Sequence, residues 1–263
     1  MPPQEAICLV PRGRATIPQV SRPAPPKISE IVLTGGSCAG KTESIGFVAA
    51  HLRNLGFPTI TVPEVATMII TGGIPNIGEI AREDGQAYCD FQREVFLTHR
   101  ALRVRARSIA AKMHSAPAVI LYDRGELDGL AYHAHDCFDG LAREDNTTIE
   151  EIRQSYDAVI HLVTTAHGAE AFYSDASNSA RWDTLEEARR FDRKIVDAWK
   201  GNHTHFIIDN RTNFAGKTHR IIETITSLLD YPSQLAWEFP GLTSDPDTPV
   251  LEMDLSLPPA APH

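Results

Sequence analysis

Cysteine is scarce and scattered in this chain: Cys8, Cys38, Cys89 and Cys137 form no Cys-x-x-Cys pair. That spacing argues against a disulfide framework and a zinc site, and it fits a reducing cytoplasm. Long apolar runs are also missing. Ala6 to Val10 is the one apolar stretch near the amino terminus, too short for a signal-peptide core, and nothing reaches membrane-spanning length, so no membrane partner is expected. Positive charge is in deficit, with a formal net charge of −9 at pH 7. Nonspecific attraction to nucleic-acid phosphates needs clustered Lys and Arg, so no nucleic-acid partner is expected, whereas a small anion held by local charge is compatible. No internal repeat is visible. The 263 residues, 42% of them hydrophobic, suffice for one substantial core and not for two large domains.

What is present is unevenly distributed. Residues 1–27 hold Pro2, Pro3, Pro11, Pro18, Pro23, Pro25 and Pro26 without helical or strand periodicity, and read as an extended or disordered lead-in. Residues 231–263 read as a second tail, in which Leu235-Ala236-Trp237-Glu238-Phe239 is apolar enough to pack on the domain or to meet another subunit of a homodimer. Between them, over 28–230, short β-branched runs alternate with helical patterns, which predicts an α/β protein of three α/β/α layers on a five-stranded, mainly parallel sheet. The expected strands are Ile28 to Thr34, Thr59 to Val62, Ala118 to Tyr122, Ala158 to Val163 and His205 to Ile208. A long helix is expected from about Ile80 to His114, burying a stripe of Phe91, Val95, Leu102 and Ile109.

After the first strand the chain reads Gly35-Gly36-Ser37-Cys38-Ala39-Gly40-Lys41-Thr42, followed by a helix-compatible run from Glu43 to Leu55. The Gly-x-x-x-x-Gly-Lys-Thr spacing lets main-chain N–H groups converge on phosphate oxygens, with Lys41 as a fixed positive charge. Thr42 opens the helix, where its hydroxyl can hold Mg2+ and the dipole favours an anion. The expected cofactors are therefore ATP (or GTP) and Mg2+.

In open parallel sheets, ligands bind beyond the carboxyl ends of the strands, so the residues there carry the next expectations. Glu64 follows strand two as a candidate base for a hydroxyl acceptor, capping of the next helix being the alternative. Asp123-Arg124-Gly125 follows strand three. Asp123 can organise Mg2+ or share the proton, Arg124 can bind a transferring phosphate, and a structural ion pair is the alternative. Asp128, one turn on, can reach an acceptor or merely cap. The run Tyr132 to Asp136 contains His133 and His135, which face apart on a helix and so predict no metal site. Thr164 to Arg181 looks like a helical lid, with Arg181 the candidate γ-phosphate ligand. Asp209 and Asn210 after strand five either meet the nucleotide base or serve structure, and Asn213 or Thr212 can cap the following helix.

Together, the loop Gly35 to Thr42, Val62-Pro63-Glu64-Val65, Asp123-Arg124-Gly125 and Ile208-Asp209-Asn210 resemble the NadR-like P-loop ATPase/kinase family over about residues 28–230. The resemblance implies a nucleoside-kinase-like arrangement with an arginine-bearing lid. Val-Pro-Glu and Asp-Arg are also similar to the base and phosphate clamp of deoxynucleoside kinases. Phe91-Gln92 is similar to their Phe-Gln, which implies acceptor contact by Gln92; His99 stands where those kinases carry an arginine. The expected activity is ATP- and Mg2+-dependent phosphoryl transfer to a hydroxyl of a small, nucleoside-like molecule. The alternative is an ATP- or GTP-binding switch or slow NTPase, although no Asn-Lys-x-Asp guanine-reading motif is present.

Overall fold

The computed structural model describes residues 27–73, 77–113, 117–132, 135–173 and 184–230. Strands β1 (Ile28–Thr34), β2 (Thr59–Val62), β3 (Ala118–Asp123), β4 (Ala158–Leu162) and β5 (His205–Ile208) form one sheet in the order β2-β3-β1-β4-β5. Every pairing is parallel. The sheet expected to be mainly parallel is thus wholly so among the described residues. Strand three runs one residue further than expected, to Asp123, and strand four stops one earlier, at Leu162.

Eight α-helices are described: α1 (Lys41–Asn54), α2 (Val65–Thr71), α3 (Ile77–Glu83), α4 (Gly85–Met113), α5 (His135–Glu144), α6 (Ile149–Gln154), α7 (Leu185–Trp199) and α8 (Phe214–Leu228). Short 3-10 turns lie at Glu126–Ala131 and Glu170–Phe172. Alternation along β1 explains the layering. Ile31 and Leu33 point to Ile45, Val48 and Leu52 of α1 and to Ile221 and Ile225 of α8. Val32 points the other way, into a cluster with Phe96 of α4, Phe138 of α5, Ile152 of α6 and Trp199 of α7. The central strands β1, β3 and β4 are covered on both faces, which is why they read as largely apolar runs.

The expected long helix is two. Asp84 accepts the amides of Gln86 at 3.1 Å and Ala87 at 3.0 Å, ending α3 and starting α4 afresh. The expected buried stripe also needs correction: Phe91 is buried, but Ile109 is 45% exposed, and the face on the sheet carries Phe96, His99, Arg103, Ala106 and Ala110. The cause is Glu30, buried in β1. Its carboxylate accepts from Arg103 Nε at 2.9 Å, Arg107 Nη1 at 2.9 Å and the Tyr122 hydroxyl at 2.7 Å. Sliding α4 would strand that charge in the core at a cost of about 3–5 kcal/mol, so the ion pair fixes the helix register together with the packing of Phe96, Ala106 and Ala110.

The flanks 1–26 and 231–263 lie outside the described residues, as do 174–183, which include Arg181. His133 lies outside them too. Among the described residues no helix is long and apolar enough to cross a membrane, and no group of three His, Cys, Asp or Glu can hold a metal ion.

Candidate nucleotide site

The loop after β1 turns through conformations that side chains disfavour. Gly35 has φ +139° and Gly40 φ +80°, and a β-carbon on Gly35 would lie 2.1 Å from the Leu162 carbonyl oxygen. Donors from the neighbouring layers tie the loop carbonyls back: Thr164 Oγ1 donates to Ser37, Thr165 N to Cys38 at 3.4 Å and Lys217 Nζ to Ala39 at 3.1 Å. Ser37 to Thr42 border an open cavity. A concave loop at the start of a helix, with its carbonyls fixed elsewhere, is suited to an anion.

Lys41 begins α1 and is buried, with Nζ donating to the carbonyls of Gly35 at 3.0 Å and Gly36 at 2.9 Å. Burial, helped by Arg124, brings its pKa down to about 8. A polyphosphate would favour the ammonium form. Nucleotide affinity is therefore expected to be full below pH 8 and to fall above it, by at most about tenfold per pH unit, as the free protein's Lys41 loses its proton. Lys217, also brought down to about 8 by burial, titrates in the same range behind the loop. Calorimetric titrations from pH 7 to 9.5 measure this, and a flat profile contradicts it.

Next to Lys41, Thr42 Oγ1 donates to Asp123 Oδ2 at 2.7 Å. Asp123 Oδ1 is buried without a hydrogen-bond partner. Burial raises the Asp123 pKa even though Lys41 opposes it. A hydroxyl beside an unsatisfied buried carboxylate oxygen is a donor set that suits Mg2+ once phosphate oxygens complete it.

Arg124 occupies φ +73°, a left-handed conformation unusual for a bulky residue. Its backbone N–H donates to Leu33 O at 2.9 Å, and His99 Nε2 meets its carbonyl at 3.0 Å. The bent backbone turns the guanidinium back towards the loop. Nη1 donates to Gly35 O at 3.0 Å and to Asp128 Oδ2 at 3.3 Å, while Nε pairs with Glu64 Oε1. Burial works to raise the Glu64 pKa, yet Arg124 and Lys41 overcome it and hold the carboxyl down to about 2. Glu64 is thus an anion poised at the edge of the phosphate loop.

Asp128 was expected to reach an acceptor. Both its oxygens are engaged: Oδ2 accepts from Thr34 Oγ1 at 2.7 Å as well as from Arg124, and Oδ1 from Trp199 Nε1 at 2.7 Å. It borders the cavity with both oxygens already engaged, one of them by Arg124. Asn210 likewise turns inward, whereas Asp209 stays exposed and is held by α8. Asp209 accepts from Arg220 Nη1 at 2.7 Å, and the Asn210 amide donates to Thr164 O and His167 O, both at 2.8 Å, and accepts from Lys217 at 2.7 Å. Neither lines the cavity, and Asn213 is the helix cap, accepting from Gly216 N.

The cavity, of ≈ 540 Å³, runs from the loop past Glu64 and Arg124 to the flank of α4. Gln92 lines it, together with Tyr88, Phe91, Val95, Phe138 and Phe172. Sequence reasoning placed Gln92 there only through a resemblance, and it missed the aromatic wall, because residues from α4, α5 and a 3-10 turn meet only in three dimensions. It missed Lys217 and Asp192 as well. Lys217 reads as an ordinary helical lysine and Asp192 as one more charge on an arginine-rich helix, with no spacing signal for either.

The comparisons agree with this geometry. No curated protein matches the chain. A family model described as an AAA domain, AAA_28, matches residues 30–217, which span the phosphate loop, Glu64, Asp123, Arg124 and Lys217. A P-loop domain of this kind binds nucleotide for hydrolysis or phosphoryl transfer, and with the match extending over most of its length the chain belongs to the AAA_28 family of AAA domains.

Proposed function

We propose that the protein is a small-molecule kinase of the NadR-like kind, transferring a phosphoryl group from ATP or GTP to an acceptor hydroxyl. The observation that carries this reading is the cavity beside Glu64. A hydrolase needs room for one water, whereas beyond the phosphate loop, where a triphosphate would lie, the cavity continues past Glu64 to Gln92 and the α4 aromatics, an extension that suits a metabolite.

In this reading the loop amides and Lys41 hold the polyphosphate, and Arg181, outside the described residues, closes on the γ-phosphate. Thr42 and Asp123 hold Mg2+, which supplies charge neutralisation of the phosphate oxygens. The acceptor lies against Gln92 with its hydroxyl at Glu64. Arg124 exchanges one Glu64 contact for the transferring phosphate, so the carboxylate it held down to about 2 regains basicity when a proton must be accepted. In a loose transition state that proton leaves late, and Glu64 also serves by orienting the hydroxyl.

The test is incubation of purified protein with Mg2+, ATP or GTP and a metabolite library, read by mass spectrometry for phosphorylated products. A phosphorylated alcohol formed only with protein present supports the kinase. Slow release of inorganic phosphate that no acceptor stimulates would favour a nucleotide-dependent switch instead.

A further inference from the structure

Helix α7 reaches the phosphate loop through a carboxylate. Asp192, halfway along α7 and 4% exposed, accepts the Gly36 N–H at 2.7 Å through Oδ1. The same oxygen lies 3.4 Å from Thr164 N and 3.2 Å from His161 Nε2. The fit is close: a β-carbon on Gly36 would stand 2.9 Å from Asp192 Oδ1 and 3.3 Å from Thr164 Cβ. A negative charge so near a polyphosphate site repels the ligand, and its basic partners lie behind the loop: His161, and Lys217, whose ammonium form it favours and which holds Ala39 O. What Asp192 does supply is an acceptor at the one peptide where the loop leaves β1. The carbonyl of that same peptide, Gly35 O, and the next one along, Gly36 O, are those that receive Lys41 Nζ. Rotation of the Gly36 peptide would therefore displace both the loop entrance and the lysine.

We infer that Asp192 is a positioning residue for nucleotide binding, fixing the Gly36 peptide through hydrogen-bond acceptance and not through its charge. This depends on nucleotide binding alone and not on any acceptor. The property that matters is the oxygen, which asparagine keeps and alanine lacks.

The experiment is calorimetric titration of Mg–ATP and Mg–GTP into four variants beside the wild type, with amide NMR of the ligand-free proteins. Asp192→Ala is expected to weaken binding about tenfold or more. Asp192→Asn is expected to stay within about threefold of wild type, or to bind tighter because the repulsion is gone. Gly36→Ala breaks the same contact from the loop side, so the double variant Asp192→Ala/Gly36→Ala should be no weaker than the worse single variant. The Gly36 amide should be protected from hydrogen exchange in the wild type and Asp192→Asn, and unprotected in Asp192→Ala. Thermal midpoints separate a general loss of folding from a local one. Binding by Asp192→Asn as weak as by Asp192→Ala, additive losses in the double variant, or a Gly36 amide that exchanges freely in the wild type each overturns the inference.

Discussion

Replacing Glu64 by glutamine is expected to lower acceptor-dependent phosphoryl transfer about a thousandfold while leaving nucleotide affinity within a factor of two. Glutamine has nearly the same shape and can still meet the Thr67 hydroxyl, which donates to Glu64 Oε2 at 2.9 Å, so the wall of the cavity survives. It cannot accept a proton. General-base groups contribute typically 10²–10⁴-fold, which sets the expected loss. Arg124 loses its carboxylate partner but keeps Gly35 O and Asp128, so the loop side of the site stays in place. The pH response has a definite sign. With its carboxyl held down to about 2, Glu64 adds stability that is fully present above its ordinary value of 4.5 and lost as pH falls through 2. The wild type should therefore be more acid-sensitive relative to its own neutral stability than Glu64→Gln, as thermal melts between pH 2 and 6 would reveal. Wild-type turnover in the glutamine variant would remove Glu64 from the chemistry.

Lys41→Ala is expected to weaken nucleotide binding at least about a hundredfold and at the same time to leave the ligand-free fold as stable or more so. The first effect follows from losing charge-assisted hydrogen bonds to phosphate inside a buried loop, on the order of 3 kcal/mol, where 1.4 kcal/mol is tenfold in affinity. The second follows from burial. Lys41 is brought from 10.5 down to about 8, so at neutral pH its ammonium form costs the fold on the order of 3 kcal/mol, partly recovered through the Gly35 and Gly36 carbonyls. Below pH 8 that cost is present in full, and it fades as pH rises towards 10.5. Affinity and stability thus move in opposite directions in one variant, which calorimetry and a melting curve measure together. Lys41→Ala binding within about threefold of wild type would dismiss the loop as the nucleotide site.

Much of the fold is legible in the sequence because the central strands, buried on both faces, are written as apolar runs and the edge strands as short β-branched ones, and all five expected strands lie within a residue of their observed limits. The α4 register was not legible. It depends on Glu30 in β1 pairing with Arg103 and Arg107, residues far apart in the chain whose charges look like solvated ones. The helix break at Asp84 was written locally but was concealed by the surrounding helical composition.

By itself the sequence determined the phosphate loop, since glycine spacing, the lysine and the preceding strand are local features with local physical consequences. It also brought Glu64, Asp123 and Arg124 to one edge, because every parallel strand ends on the same side of its sheet. Only the tertiary structure decided what those residues do to one another: that Arg124 bends back to hold Glu64 ionised, that Asp128 and Asn210 face inward, and that α7 and α8 brace the loop through Asp192 and Lys217. Such roles are set by which polar groups become each other's only available partners once water is excluded, and that choice is made by packing between distant segments, which no local pattern encodes.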